Sequence, residues 1–203
     1  MASLSFPPRL TANLALFLDF DGTLAPIQDD PQTVTLPEGG DASLNAMSNM
    51  LGGALAIVSG RSLEDLSVRV PLGLWRAGAH GLDIRAPGDV SEATNTSAPA
   101  ELSGSIEALV NPLDGVQIEQ KGAVLAIHFR AAPHHSDQLA TDLAQIVQRV
   151  DGYTLQRGKM VFEAKPAAAN KGRAIQTLMA VTPFIGRTPV MVGDDTTDED
   201  AMA

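Results

Sequence analysis

The chain has 203 residues with a formal charge of −10, 44% hydrophobic and only 19% charged residues, and no cysteine. That length allows one substantial core plus a smaller second unit, and the missing cysteines exclude a disulfide framework or a thiolate metal site. The negative balance argues against nucleic acid, whose binding needs a clustered positive field, so an anionic ligand would have to be captured by local charge.

Residues 1–10 lack the basic start and long apolar core of a signal peptide, and no apolar run reaches membrane-spanning length, so a cytoplasmic chain is expected. The run 14–18 reads as a buried strand that ends in Asp19-Phe20-Asp21-Gly22-Thr23. Strand side chains repeat every second residue, which puts Asp19 and Asp21 on one face. Two acids at one strand end suit a divalent cation and a phosphate, the competing reading being a tight Asp-Gly turn with solvated acids. Helices are expected near 41–51 and 62–70, on either side of a second buried strand at 54–58 that ends in Ser59-Gly60-Arg61. A hydroxyl there can hold a phosphate oxygen, although Ser-Gly-Arg is also an ordinary loop with a helix cap. Residues 14 to about 84 thus alternate as strand, helix, strand, helix, strand, one half of a doubly wound α/β unit.

Between residues 86 and 99 the chain turns polar and rich in Pro, Ser, Thr and Asn, which marks a linker into an insert. A helix at 100–110 precedes two apolar runs, 116–119 and 124–129, that form a hairpin across Lys121-Gly122. Leu139, Leu143, Ile146, Val147 and Val150 then make the stripe of an amphipathic helix. Residues 153–156 and 160–164, joined by Arg157-Gly158-Lys159, read as a second hairpin. The core pattern resumes at Asn170-Lys171-Gly172, where Asn170 caps a helix bearing Ile175, Leu178 and Met179 and an ammonium stands beside the positive helix terminus. A last strand, 189–192, ends in Gly193-Asp194-Asp195 and Thr196-Thr197-Asp198, and adjacent carboxylates of this kind call for a cation or a proton. No phosphate loop of the Gly-x-x-x-x-Gly-Lys type and no Gly-x-Gly-x-x-Gly turn is present, which argues against the usual modes of nucleotide binding. The expected division is core 1–85, α+β cap 86–166 and core 167–203.

The ordered set Asp19-x-Asp21-Gly22-Thr23, Ser59, Lys171 and Gly193-Asp194-Asp195 resembles the haloacid dehalogenase superfamily of phosphotransferases. Gly78-Ala79-His80-Gly81, His128-Phe129-Arg130, Glu163-Ala164-Lys165-Pro166 and the run 183–189 are similar to bacterial trehalose-6-phosphate phosphatases, over residues 14–203. The resemblance implies an α/β fold, a Rossmann-like parallel-sheet core with an inserted α+β cap. Its members continue through another strand and helix beyond position 203, so a C-terminal edge strand is expected to be absent and the fragment to be less stable than a complete chain.

For chemistry, the resemblance implies that Asp19 attacks phosphorus to form an aspartyl phosphate. Asp21 then protonates the departing sugar oxygen and later takes a proton from water; held beside other acids, it is expected to stay protonated nearer neutral pH than a free carboxylic acid. Lys171, Ser59, Gly60, Arg61 and the backbone at Gly22 and Thr23 would hold the phosphoryl group, with Thr23 also shaping the turn. Magnesium is the expected metal, on the carboxylates of Asp19 and Asp194 and the main-chain carbonyl of Asp21, with Asp195 and Asp198 behind them orienting Lys171 or a bound water. Glu163 and Lys165, two apart on a strand, are expected to bind sugar hydroxyls, helped by His80, Lys121, His128, Arg130 and Lys159. The partner implied is a small sugar phosphate, with no nucleic acid, no membrane, a monomeric state and a functional link to trehalose-6-phosphate synthase. Two rival readings are a phosphatase for another sugar phosphate of the sucrose 6-phosphate type and an inactive sugar-phosphate-binding or regulatory module. The intact Asp19 and Asp21 argue against the last, since a binding module has no need of a nucleophile.

Overall fold

The computed structural model describes residues 11, 13–28, 30–91, 97–195 and 198–199. Residues 1–10, read above for a leader, and Thr196, Thr197 and 200–203, which close the last motif, lie outside the described residues. The first apolar run forms β1 (Leu14–Leu18), followed by α1 (Gly40–Met50), β2 (Leu55–Val58), α2 (Leu63–Ser67), β3 (Trp75–Gly78) and β4 (Asp83–Arg85). All of β2, and all of β1 beyond Leu14, is buried, as strands covered on both faces must be; this is why they read as continuous apolar runs rather than alternations. The second helix is shorter than its apolar pattern suggests, because residues 68–70 turn toward Pro71, which disfavours helical backbone in the residue before it.

The insert follows as α3 (Ala100–Val110), β5 (Gln117–Lys121), β6 (Val124–His128), α4 (Ser136–Val147), β7 (Tyr153–Gly158) and β8 (Val161–Pro166). Its strands form a separate antiparallel sheet in the order β5-β6-β8-β7. Leu102, Ile106 and Val110 of α3 and Leu139, Leu143 and Val147 of α4 are buried in one cluster with Leu125, Ile127, Phe162 and Ala164 of the sheet. Both helices therefore cover one face, and the period of two turns Glu163, Ala126 and Glu119 to the other. A fully buried side chain of this size stabilises by about 1.5–3 kcal/mol, and the stacked Phe129 and Phe162 rings, 5.1 Å apart, add an aromatic contact.

The chain then returns through α5 (Lys171–Met179) to β9 (Thr188–Val192). Asn170 caps the helix as its sequence implies, Oδ1 accepting from Arg173 N–H at 3.1 Å. The second sheet runs β4-β3-β2-β1-β9, with β4 antiparallel and the rest parallel. Before β9, Phe184 stacks on Phe17 at 5.4 Å and meets Trp75 edge-on at 5.5 Å, fixing the run 183–189 to the core. This is the expected α/β core with an α+β insert, and β9 is an edge of its sheet among the described residues. The antiparallel edge strand β4 adds to the expectation; its three residues are too few to show a period. No helix among the described residues is long and apolar enough to cross a membrane.

Candidate active site

The carboxyl ends of β1 and β9 are tied together, Asp19 N–H donating to Val192 O at 2.9 Å. Asp19 is buried, and its Oδ1 accepts a hydrogen bond from Lys171 Nζ at 2.7 Å. The same ammonium donates to Asp198 Oδ1 at 2.7 Å, and Asp198 Oδ2 accepts from Asp195 N–H at 3.1 Å. Carboxylate oxygens of Asp19, Asp194 and Asp198 all lie within 4.8 Å of one another. Gly22 has a φ of 82°, and a Cβ there would collide with the Asp194 carboxylate, so only glycine lets this turn lie against the acids. Burial pushes the Asp19 carboxyl up to about 6, with a further push from Asp198, against the pull of Lys171. Burial also works against the Lys171 charge, but Asp19 and Asp198 outweigh it and hold the ammonium more firmly protonated than usual. Three crowded carboxylates, two of them on one ammonium, are a donor set that fits a hard divalent cation.

At the end of β2, Ser59 is buried and its Oγ accepts from Arg61 N–H at 3.2 Å. The loop after β3 hooks onto this motif, Ala79 N–H donating to Arg61 O at 2.6 Å and His80 N–H to Ser59 O at 3.0 Å. Gly60 leaves room for the imidazole, since a Cβ there would stand 2.7 Å from His80 Cε1. Across the gap to the second sheet, His80 Nε2 stands 3.0 Å from Glu163 Oε2, off the line of a well-directed hydrogen bond, and Nδ1 has no hydrogen-bond partner among the described residues. Burial pushes the Glu163 carboxyl up, but His80, Lys121 and Lys165 outweigh it and hold it below the usual range.

Between the two sheets lies a cavity of about 750 Å³. Asp19, Asp21, Ser59, Arg61, His80 and Lys171 line it from the core, with Asp194 and Asp195 beside them, and Glu119, Lys121, Lys159 and Glu163 from the cap. On the cap wall the register sets Glu119 and Glu163 on either side of Ala126. Glu119 pairs with His128 at 3.0 Å and Lys121 at 3.1 Å, and His128 above all, then Lys121, draws its carboxyl down to about 2 against the push of burial.

The profile of the family described as trehalose-phosphatase matches residues 17–203. The chain belongs to the trehalose-phosphatase family. It is similar to the trehalose-6-phosphate phosphatase of Escherichia coli (strain K12), 38% identical over 202 residues that make up 97% of this chain and 75% of that one. It is 40% identical to the probable trehalose-phosphate phosphatase of Sinorhizobium fredii over 190 residues, 92% of this chain and 72% of the relative. In fold it is similar to the C. albicans trehalose-6-phosphate phosphatase C-terminal domain, with a TM-score of 0.79 at 21% identity over 94% of this chain and 72% of that one.

Several residues that the family resemblance assigns stand apart from this cavity. His128, Arg130 and Lys165 do not line it. His128 shares the open face of the cap sheet but is drawn to Glu119, Arg130 is exposed, and Lys165 is buried one step along from Glu163, on which its charge acts. Gly22 and Thr23 also do not line it; Gly22 shapes the approach to Asp194, and the Thr23 hydroxyl is buried without a hydrogen-bond partner among the described residues. Asp21 is not held among acids: both of its oxygens accept from Arg61, at 2.6 and 2.7 Å, so the expected crowding of that carboxyl by carboxylates is not what the turn produces. Asp198, expected with Asp195 to orient Lys171 or a bound water, does accept from Lys171, which it shares with Asp19, and its carboxylate also stands in the three-acid group. Sequence reasoning missed Glu119, although Glu119-Gln120-Lys121 repeats the Glu-x-Lys spacing of Glu163-Ala164-Lys165 on a neighbouring hairpin. It also missed Asp65, which stands four residues after Arg61, the helical spacing of an ion pair.

Proposed function

We propose that this chain hydrolyses trehalose 6-phosphate to trehalose and phosphate, with Asp19 as the nucleophile. The reading rests on family membership and on one observation above all: a buried carboxylate, held by a buried ammonium at the floor of a cavity whose far wall carries Glu119, Lys121 and Glu163. The floor offers a nucleophile to phosphorus, and the far wall offers charged hydrogen-bonding groups to the hydroxyls of a disaccharide. In the first half-reaction an Asp19 oxygen bonds to phosphorus as the bond to the sugar oxygen breaks, and Asp21 gives that oxygen its proton. In the second, a water oxygen bonds to phosphorus, the bond to Asp19 breaks with its electron pair returning to the carboxylate, and Asp21 takes the proton from water.

Lys171 keeps Asp19 oriented and offers positive charge to the transferring group, and Ser59 offers it a hydroxyl. Asp19, Asp194 and the carbonyl of Asp21 would hold magnesium, with Asp198 next to them, and a bound cation would neutralise charge on the phosphoryl oxygens. The test is phosphate release from trehalose 6-phosphate, glucose 6-phosphate and sucrose 6-phosphate, with magnesium and with chelator, beside Asp19→Asn. Selective, metal-dependent release abolished in the variant is expected. Equal release from all three substrates, or release that survives Asp19→Asn, would overturn the reading.

A further inference from the structure

The resemblance puts Arg61 on the phosphate, yet four of its five N–H groups are engaged by protein: Nε with Asp21 Oδ2 at 2.7 Å, Nη2 with Asp21 Oδ1 at 2.6 Å, and Nη1 with Asp65 Oδ2 at 2.6 Å and Pro31 O at 3.1 Å. The guanidinium also lies over the Phe20 ring, 5.5 Å from its centroid. Asp65 is held in turn, its Oδ1 accepting from Arg69 Nε at 3.0 Å and Nη2 at 2.7 Å, while Arg69 donates to the carbonyl of Val34. The result is a row of alternating charge, Asp21, Arg61, Asp65 and Arg69, from the turn after β1 across α2. Solvated ion pairs fix little; the Asp21 and Asp65 carboxylates are 37% and 26% exposed, but the Arg61 and Arg69 side chains that grip them are only 11% and 7% exposed. Burial works against the Arg61 charge, and Asp21 and Asp65 outweigh it and hold it more firmly protonated than usual.

We propose that Arg61, braced by Asp65, positions the Asp21 carboxylate as the base of the second half-reaction, in which water displaces Asp19 from phosphorus. This rests on the function proposed above. A two-pronged guanidinium contact sets both the plane and the rotation of a carboxylate, which the point charge of a lysine does not. Both Asp21 oxygens accept from the fork, which is the arrangement of a carboxylate awaiting a proton from water. In the first half-reaction the same group must deliver a proton and cannot present it to a fork made only of donors. The fork therefore suits Asp21 as a base and not as an acid. Arg61 is a positioning residue in this scheme, and Asp65 acts through it.

The assay is rapid-mix kinetics with magnesium, reading trehalose and phosphate separately, on wild type, Arg61→Lys and Asp65→Asn. Positioned acid–base groups contribute about 10²–10⁴-fold, so Arg61→Lys is expected to lower kcat by roughly 10–100-fold. KM falls with it and kcat/KM stays within about threefold, because kcat/KM reports only steps up to the first irreversible one. A burst of trehalose approaching one per enzyme precedes phosphate, and Asp65→Asn gives a smaller effect of the same form. A loss in kcat/KM as large as in kcat, without a burst, would mean that Arg61 serves the phosphate or only the fold, and would overturn the proposal. Should Arg61→Lys fail to fold, as read by its melt, Asp65→Asn decides. With p-nitrophenyl phosphate the nitrophenol burst reads the same half-reaction, so a wild type inert toward trehalose 6-phosphate would sink the substrate assignment while leaving the positioning role to be judged on the aryl ester.

Discussion

Replacing Lys171 by Met removes the one ammonium that stands between two buried carboxylates. Lys171 is 4% exposed, Asp19 4% and Asp198 0%, and both acids accept from Nζ at 2.7 Å. Breaking a buried ion pair from one side costs about 3–5 kcal/mol, which for a chain of this size lowers the melting temperature by roughly 6–20 °C. The loss should depend on pH, and its sign follows from Asp19. The folded protein holds that carboxyl at about 6, above the ordinary value of 3.8, so the stability it contributes is fully present at low pH and is lost as pH rises through the folded value. Lys171 pulls the carboxyl down, so without it the folded value moves further up and the loss extends to higher pH. The gap in melting temperature between wild type and Lys171→Met, measured with chelator, should therefore narrow from about pH 7.5 to about pH 5.5. Adding Asp198→Asn removes one of the two stranded acids and should restore part of the loss, a coupling that a double-mutant cycle reads directly. A drop below about 2 °C, a gap that does not change with pH, or strict additivity would refute the reasoning.

Magnesium should raise the melting temperature by roughly 5–11 °C at about a hundred times its dissociation constant. Because Asp19 takes up a proton near 6, that rise should shrink below about pH 6, and Asp194→Asn should lose most of it at any pH. Gly60→Ala would place a Cβ 2.7 Å from His80 Cε1. Such overpacking costs about 1–3 kcal/mol, and steady-state kinetics should show KM for trehalose 6-phosphate rising while the Asp19 chemistry stays intact. Glu119→Gln removes the charge that gathers His128 and Lys121. A hydrogen bond to a charged group is worth about 1.5–3 kcal/mol, so the preference for trehalose 6-phosphate over glucose 6-phosphate should fall about tenfold or more; an unchanged ratio would take Glu119 out of recognition.

The parts of this fold that sequence made legible are those written in one local pattern. The buried strands β1 and β2 announce themselves because a doubly covered strand has no polar face to interrupt it, and α4 because a helix on a sheet needs a stripe three to four residues apart. Asp19, Ser59, Lys171 and Asp194 were legible because each stands at the end of a strand or the start of a helix, where the topology gathers side chains on one edge. Side-chain partnership was not. Nothing local says that the Arg61 fork turns to Asp21, forty residues earlier, or that His128 turns to Glu119. Such choices are made among competing acids only once the chain has folded. The repeated Glu-x-Lys, by contrast, was open to reading: the spacing that marked Glu163 and Lys165 marks Glu119 and Lys121 as well.

His80 shows where a local rule gives way to the hold of the surrounding fold. Ala79 and His80 adopt φ values of 48° and 56°, in the left-handed region that side chains other than glycine seldom enter. Each such residue costs on the order of 1–3 kcal/mol and persists only where its surroundings hold it. Here the bonds to Arg61 O and Ser59 O supply that hold, and Gly81, at a φ of 92°, lets the loop close against Ala174 where a Cβ would collide. The strain is thus set against contacts that fasten the imidazole to the same loop that carries Ser59 and Arg61. From that fixed base Nε2 reaches to 3.0 Å from Glu163, a residue of the other sheet. A ligand lying between the sheets would then meet a cap acid that stands 3.0 Å from an imidazole fastened to the loop of Ser59 and Arg61.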